Sequence, residues 1–121
     1  MAERIETVAE RLDPEDGKIV TLARSARARI GAAEGAAVRD TDGRTYTGCT
    51  VRLTALRLTA LQVAVAAATS SGAEELEAAA VVTEADEVDA DSVAAVRELA
   101  STAPVFRAGG DGEVVELSRG T

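Results

Sequence analysis

The stretch Thr59-Ala60-Leu61-Gln62-Val63-Ala64-Val65-Ala66-Ala67-Ala68 has the residue choice of a helix, carries no charge, and stays apolar on every face until Ser70-Ser71-Gly72. A helix with one apolar stripe needs one neighbour, whereas a helix apolar all round has to be covered on several sides. That requirement places residues 59–69 inside a layered domain. The chain has one Phe and one Tyr, so its 46% hydrophobic residues are mainly Ala, Val and Leu. Small side chains bury little area each. Close approach of backbones has to supply the packing, and burial of further helix surface between subunits is favoured.

The flanking residues give the order of elements. Thr59, with Gln62 three residues later, forms a capping-box pattern at the start of the apolar helix. Asp13-Pro14-Glu15-Asp16 predicts an earlier helix: Asp caps, Pro suits the first turn, and the acids favour the positive end of the helix. Its stripe is Leu12, Ile19, Leu22, Ala23, Ala26 and Ile30, and it ends near Gly31. Residues 34–39 and 44–51 read as strands around the Asp42-Gly43 turn. Residues 77–83 read as an internal strand, followed by an acidic loop. A third helix starts near Asp89 to Ser92, and strands at 104–107 and 113–117 bracket the Gly109-Gly110-Asp111-Gly112 turn. The order is α-β-β-α-β-α-β-β, one domain over residues 1–121 with its core at about 14–117 and no linker.

The net charge of −8 argues against nucleic-acid binding, which needs a basic surface to neutralise phosphates. Charge is segregated: residues 58–96 hold eight acids and no Lys or Arg, whereas most arginines precede residue 53. One cysteine forms no internal disulfide and no Cys-rich metal cluster. No apolar run reaches the roughly 20 residues of a membrane span, and no signal peptide is visible, so a cytoplasmic location without membrane attachment is expected.

The Gly35-Ala36-Ala37 strand, the Asp42-Gly43 turn, Thr47-Gly48-Cys49-Thr50-Val51 and the apolar helix from Thr59 to Gly72 together resemble the cytidine deaminase family, over about residues 14–117. The resemblance implies a three-layer α-β-α fold with a central mixed sheet. It also implies a zinc-bound water that attacks a pyrimidine ring while a glutamate moves the proton. Matched by spacing, Thr59 stands at the first zinc ligand, Leu61 at the glutamate and Gln62 at a neighbouring arginine. Asp89 and Ser92 stand where two cysteine ligands belong, with Asp91 between them. Thr50, Arg52 and Leu53 fall on the segment that contacts the nucleoside in the family. A chain with no histidine and a single cysteine, Cys49 of the hairpin, lacks the family's ligand set. Neutral hydroxyls are poor zinc ligands, and leucine transfers no proton. No metal and no cofactor are therefore expected, and no catalytic residue is assigned. The former pocket is Thr50, Arg52, Thr59, Leu61, Gln62, Asp89, Asp91 and Ser92, with Thr59, Asp89, Asp91 and Ser92 suited to capping helices and Leu61 to filling space.

The remaining residues receive plainer readings. Cys49 is expected to be a buried strand residue. Tyr46 is expected to pack with its hydroxyl at an edge. Arg24, Arg27 and Arg29 read as a solvated face, and Glu84, Asp86, Glu87, Asp89 and Asp91 as a solvated acidic loop without calcium-loop spacing.

The expected function is that of a catalytically inactive, deaminase-like protein that works by assembly or by binding a protein partner. Family resemblance implies a homo-oligomer, a dimer or tetramer. A nucleoside- or small-metabolite-binding module is the alternative. A hydrolase or deaminase of altered, zinc-independent chemistry, using Asp89 or Asp91, is the third reading; it lacks a convincingly placed second titrating group.

Overall fold

The computed structural model describes residues 3–7 and 12–120. Residues 1, 2, 8–11 and 121 of the expected single domain lie outside the described residues. The first strand, β1 (Glu3–Thr7), precedes helix α1 (Pro14–Ile30), strand β2 (Gly35–Asp40) and strand β3 (Thr45–Cys49). Two short strands follow, β4 (Val51–Arg52) and β5 (Arg57–Leu58), then helix α2 (Ala60–Ser70) and strand β6 (Leu76–Val82). Helix α3 (Ala90–Leu99) and strands β7 (Val105–Ala108) and β8 (Val114–Gly120) complete the chain.

All three helices start where capping chemistry predicts. The Asp13 carboxylate accepts from the Glu15 N–H, and Pro14 opens α1. This helix ends at Gly31, whose positive φ of 66° lets its N–H reach back to the Arg27 carbonyl. Thr59 and Gln62 form both arms of the capping box on α2. Asp89 caps α3 by accepting from the Asp91 N–H.

The main sheet has strand order β1-β8-β7-β6-β2-β3. Only the β6–β7 pair is parallel, which makes the sheet mixed. Alternate side chains of the central strands face opposite layers. Ala36, Val38, Ala79 and Val81 pack towards α2 and α3, whereas Ala37, Ala78, Ala80 and Val82 pack towards α1. This is the three-layer α-β-α arrangement.

Two expectations on the strands need correction. Residues 44–51 do not form one arm of a hairpin, because β3 stops at Cys49. Val51 and Arg52 pair instead with Leu58 and Arg57 in a separate two-stranded ribbon. The element order also lacked β1, which pairs antiparallel with β8 from Glu3↔Gly120 to Thr7↔Glu116.

Alanine and glycine let the layers approach closely. A Cβ on Gly35 would strike the Ala23 carbonyl oxygen and the Arg27 backbone nitrogen on α1. A Cβ on Gly48 would lie 2.6 Å from the Ala64 nitrogen and 2.8 Å from the Ala60 oxygen on α2. Gly35 and Gly48 are thus contact points between sheet and helix on opposite faces.

Two buried guanidinium groups tie elements together. Arg39 on β2 pairs with Asp16 at 3.0 Å and Glu77 at 3.3 Å, and donates to the Glu15 carbonyl. Arg97 on α3 binds both carboxylate oxygens of Glu3, at 2.6 and 2.8 Å, and donates to the carbonyls of Ala100, Ala103 and Ser118. The Arg97 hydrogen bond holds the Glu3 carboxyl below its ordinary range. A carboxylate with a lowered folded-state pKa stabilises the fold above its unfolded-state pKa, and that contribution is lost as pH falls through the folded value. Acidification into the carboxylate range is therefore expected to loosen β1 from α3. Amide hydrogen exchange in β1 should rise before exchange in β6 as pH is lowered, after correction for the intrinsic rate.

Candidate functional site

The starts of α2 and α3 lie side by side on one face of the sheet. The Ser92 hydroxyl donates to Thr59 Oγ1 at 2.8 Å, across 33 residues of sequence. Thr59 Oγ1 also accepts from the Gln62 N–H at 3.1 Å, while Gln62 Oε1 accepts from the Thr59 N–H at 2.9 Å. Asp89 Oδ1 accepts from the Asp91 N–H at 2.8 Å. Each side chain in this group has a structural partner. Replacing an N-cap hydroxyl or carboxylate by Ala typically costs about 1 kcal/mol, so the caps alone account for these residue types.

Leu61 points away from this polar junction. It is fully buried in the cluster formed by Ala36, Val38, Ala64, Val65, Val81 and Val96. Ser92 is also buried, at 2% exposure. The other six residues of the expected pocket, Thr50, Arg52, Thr59, Gln62, Asp89 and Asp91, line an open cleft of about 510 Å³ in front of the two helix starts. Glu34, Arg57 and Glu87 line it too, the last from the acidic loop. Arg57 reaches the cleft because it pairs with Arg52 across the β4–β5 ribbon. Glu34 is held there by three links to Thr50: its N–H donates to Thr50 Oγ1 at 3.0 Å, and its carbonyl accepts from the Thr50 N–H at 3.2 Å and from the Thr50 hydroxyl at 3.4 Å. No periodicity in the sequence marks Arg57 without the β4–β5 pairing.

The donor set does not fit the zinc ion that the resemblance implies. Catalytic zinc is held by three side chains drawn from His, Cys and carboxylates, with the fourth position open. Thr59 and Ser92 offer hydroxyls that bond to each other, and Asp89 is engaged as a cap. Among the described residues, no three His, Cys, Asp or Glu side chains group closely enough to hold a metal ion.

The remaining candidates resolve locally. The Cys49 thiol is half-buried, and burial pushes its pKa up, away from the thiolate needed for nucleophilic chemistry. Tyr46 packs on the α2–α3 side, and its hydroxyl donates to Asp40 at 2.8 Å. Asp40 is buried, and burial pushes its carboxyl up. Hydrogen bonds from Tyr46 and from the Arg44 and Asp42 N–H groups outweigh this, so its pKa lies below the ordinary value. Asp40 and Tyr46 therefore brace the β2–β3 turn.

Arg24 is exposed, as expected of a solvated face, whereas Arg27 is half-buried. Arg24 donates to the Gly110 carbonyl at 3.2 Å, and Arg27 donates to the carbonyls of Ala32 and Ala33 and meets Glu84 at 3.4 Å. They fasten α1 to neighbouring turns, because both turns present carbonyls beside the helix. Arg29 is exposed.

No helix among the described residues is long and apolar enough to cross a membrane. A family model for cytidine deaminase-like domains matches residues 12–112. No curated protein matches the chain. Among solved structures, a cytidine deaminase from Burkholderia pseudomallei superposes with a TM-score of 0.72 at 24% identity, covering 82% of this chain and 88% of that one. A cytidine deaminase from Mycobacterium tuberculosis gives a TM-score of 0.65 at 26% identity, covering 78% and 85% respectively. One from Mycobacterium leprae gives 0.64 at 20% identity, covering 74% and 85%.

Proposed function

The chain belongs to the cytidine deaminase-like family, and on that footing we propose that it is a catalytically inactive member acting as an oligomeric structural or partner-binding protein. The observation that carries this reading is the hydroxyl pair Thr59–Ser92 at the junction of α2 and α3, with Leu61 sealed in the core behind it. In the alignment implied by the resemblance, those positions belong to two metal ligands and the proton-transferring glutamate. A hydroxyl bonded to a second hydroxyl does not bind zinc, and a buried alkyl group moves no proton.

Assembly as a dimer or tetramer is supported by α2. The sheet covers Leu61, Ala64, Val65 and Ala68, while Val63 and Ala67 are half-buried and Ala66 is exposed. Nearby, Leu53 and Leu56 of the β4–β5 ribbon are 60% and 49% exposed. An apolar helix face beside two exposed leucines favours contact with another protein surface. Light scattering coupled to size exclusion is expected to give a mass at least twice that of one chain, and a strictly monomeric protein at micromolar concentration removes this part of the reading.

The purified protein, with zinc supplied, is expected to release no uridine from cytidine above the buffer rate and to retain substoichiometric zinc after dialysis. Stoichiometric zinc together with turnover would overturn the inactive reading. A second reading, a nucleoside or small-metabolite binder, is favoured by the cleft itself. Arg52 and Arg57 line it without a salt bridge among the described residues, beside the carboxylates of Glu34, Glu87, Asp89 and Asp91, which suits a polar ligand carrying both donors and acceptors. Binding of a nucleoside without turnover would favour this reading over pure assembly.

A further inference from the structure

The main sheet ends on two unlike edges. At one end, Glu3, Arg4 and Glu6 of β1 guard the strand against further pairing with their charges. At the other end, β3 reads Thr45-Tyr46-Thr47-Gly48-Cys49, with no charge, no proline and no bulge against β2. Among the described residues no strand lies beyond it.

The phase of the ladder fixes which β3 groups are free. The Thr50 N–H donates to the Glu34 carbonyl, and the Arg44 carbonyl accepts from the Asp40 N–H. Alternate residues of an antiparallel strand turn their backbone groups to opposite sides. Tyr46 and Gly48 share the phase of Arg44 and Thr50 and bond to β2. Thr45, Thr47 and Cys49 therefore turn their N–H and C=O groups outward, and Thr47 is exposed.

The layers on either side of this edge are complementary to themselves. Helix α2 sits over β3 and β2, with Val63 against Gly48. Its stripe on that flank, Val63, Ala66, Ala67 and Ser70, carries no charge and is only partly covered. On the other face α1 runs antiparallel to β2. Glu15 and Asp16 of its first turn lie by Arg39, whose register partner is Thr45. Arg27 and Arg29 of its last turn lie at the Gly35 end, opposite Cys49.

We propose that two copies of the chain join through β3, antiparallel about a two-fold axis at Thr47, and so merge two six-stranded sheets into one. This rests on the assembly reading above and assigns its contact to the strand edge. Thr47 pairs with itself and Thr45 with the partner's Cys49, which uses all three outward residues. Tyr46 falls opposite the partner's Gly48, the one position of the strand without a side chain. Strands about 4.8 Å apart put the two α2 axes roughly 10 Å apart, a spacing at which helices pack. The acidic start of each α1 comes to the side of the partner's basic end. A foreign strand meets the backbone alone, whereas a second copy meets every layer. The contact is isologous, so it closes on itself and leaves no β3 edge exposed.

Engineered disulfides test the register, because the Cα atoms of a hydrogen-bonded antiparallel pair lie about 5.5 Å apart, within disulfide reach. Under mild oxidation most chains of the T47C/C49S variant are expected to run as a covalent dimer. T45C is expected to cross-link to the partner's Cys49, and T45C/C49S to stay uncross-linked. Thr47→Lys sets like charges opposite each other on the axis. It is expected to halve the mass found by light scattering, with a melting curve establishing that it folds. In an oligomeric parent, no cross-link in T47C/C49S, equal cross-linking of T45C and T45C/C49S, or an unchanged mass for folded Thr47→Lys overturns the strand seam and leaves the assembly reading standing. A monomeric parent overturns both.

Discussion

Gly48→Ala is expected to destabilise the domain by about 3 kcal/mol or more, at or above the upper end of the usual cost of overpacking. The added Cβ would sit 2.6 Å from the Ala64 nitrogen, 2.8 Å from the Ala60 oxygen and 2.8 Å from the Val63 Cβ. Two of those three atoms belong to helix backbone, so no rotamer change relieves the contact. The whole of α2 has to lift from β3, and lifting it opens the cluster around Leu61 and Val65. Gly17→Ala makes the matched comparison: it lies inside α1, and its Cβ would meet nothing within 4 Å. That change is expected to stabilise by about 0.5–1 kcal/mol, because glycine loses more backbone freedom in a helix than alanine does. Urea unfolding of the two variants should therefore move the midpoint in opposite directions. Equal midpoints for Gly48→Ala and the parent would mean that α2 does not ride on β3 as closely as described.

The second large effect is at Leu61. Leu61→Ala is expected to cost about 2–5 kcal/mol, the range for a leucine removed from a packed core. Leu61→Glu, which puts the carboxylate of the family's proton carrier at this position, is expected to cost more. It would place an unpaired charge among Ala36, Val38 and Val81. A domain of 121 residues has roughly 6–18 kcal/mol of stability in total, so the glutamate variant is expected to be largely unfolded or insoluble. The informative outcome is the contrast between the two. If Leu61→Glu folded with a loss below about 1 kcal/mol, the side chain would have to reach the polar cleft, and the site would be open rather than filled.

Much of the architecture is written in local chemistry. Asp13, Thr59 and Asp89 mark helix starts because a short polar side chain satisfies an orphan N–H there, and the structure uses all three in that way. The strand at 77–83 is legible from its continuous small apolar run, which suits a strand covered on both faces. By contrast, β1 reads Glu-Arg-Ile-Glu-Thr, with a single apolar residue, and β4 and β5 are two residues each. Segments that short and polar carry no periodicity; they are strands only because a partner lies beside them. The candidate site divides in the same way. The caps at Thr59 and Asp89 follow from sequence, whereas the Thr59–Ser92 bond needs the β6 crossover to bring two helix starts together. The apolar character of α2 predicts burial on every side, yet within one chain Ala66 stays exposed and Val63 and Ala67 are half-buried. Arg24 and Arg27 show no partner in the sequence because each donates to backbone carbonyls, of Gly110 for Arg24 and of Ala32 and Ala33 for Arg27, which leave no trace in residue type.

The pairing of Glu3 with Gly120 has a mechanical consequence. Because β1 and β8 run antiparallel, the outer ends of the described chain leave the sheet at the same corner. Tension applied there pulls across the strands and loads the hydrogen-bonded pairs one after another, as in opening a zip. The Arg97–Glu3 contact stands at that corner and is the first side-chain link to bear the load. Anything tethered to both ends would therefore peel the edge strand before it strained the three-layer core.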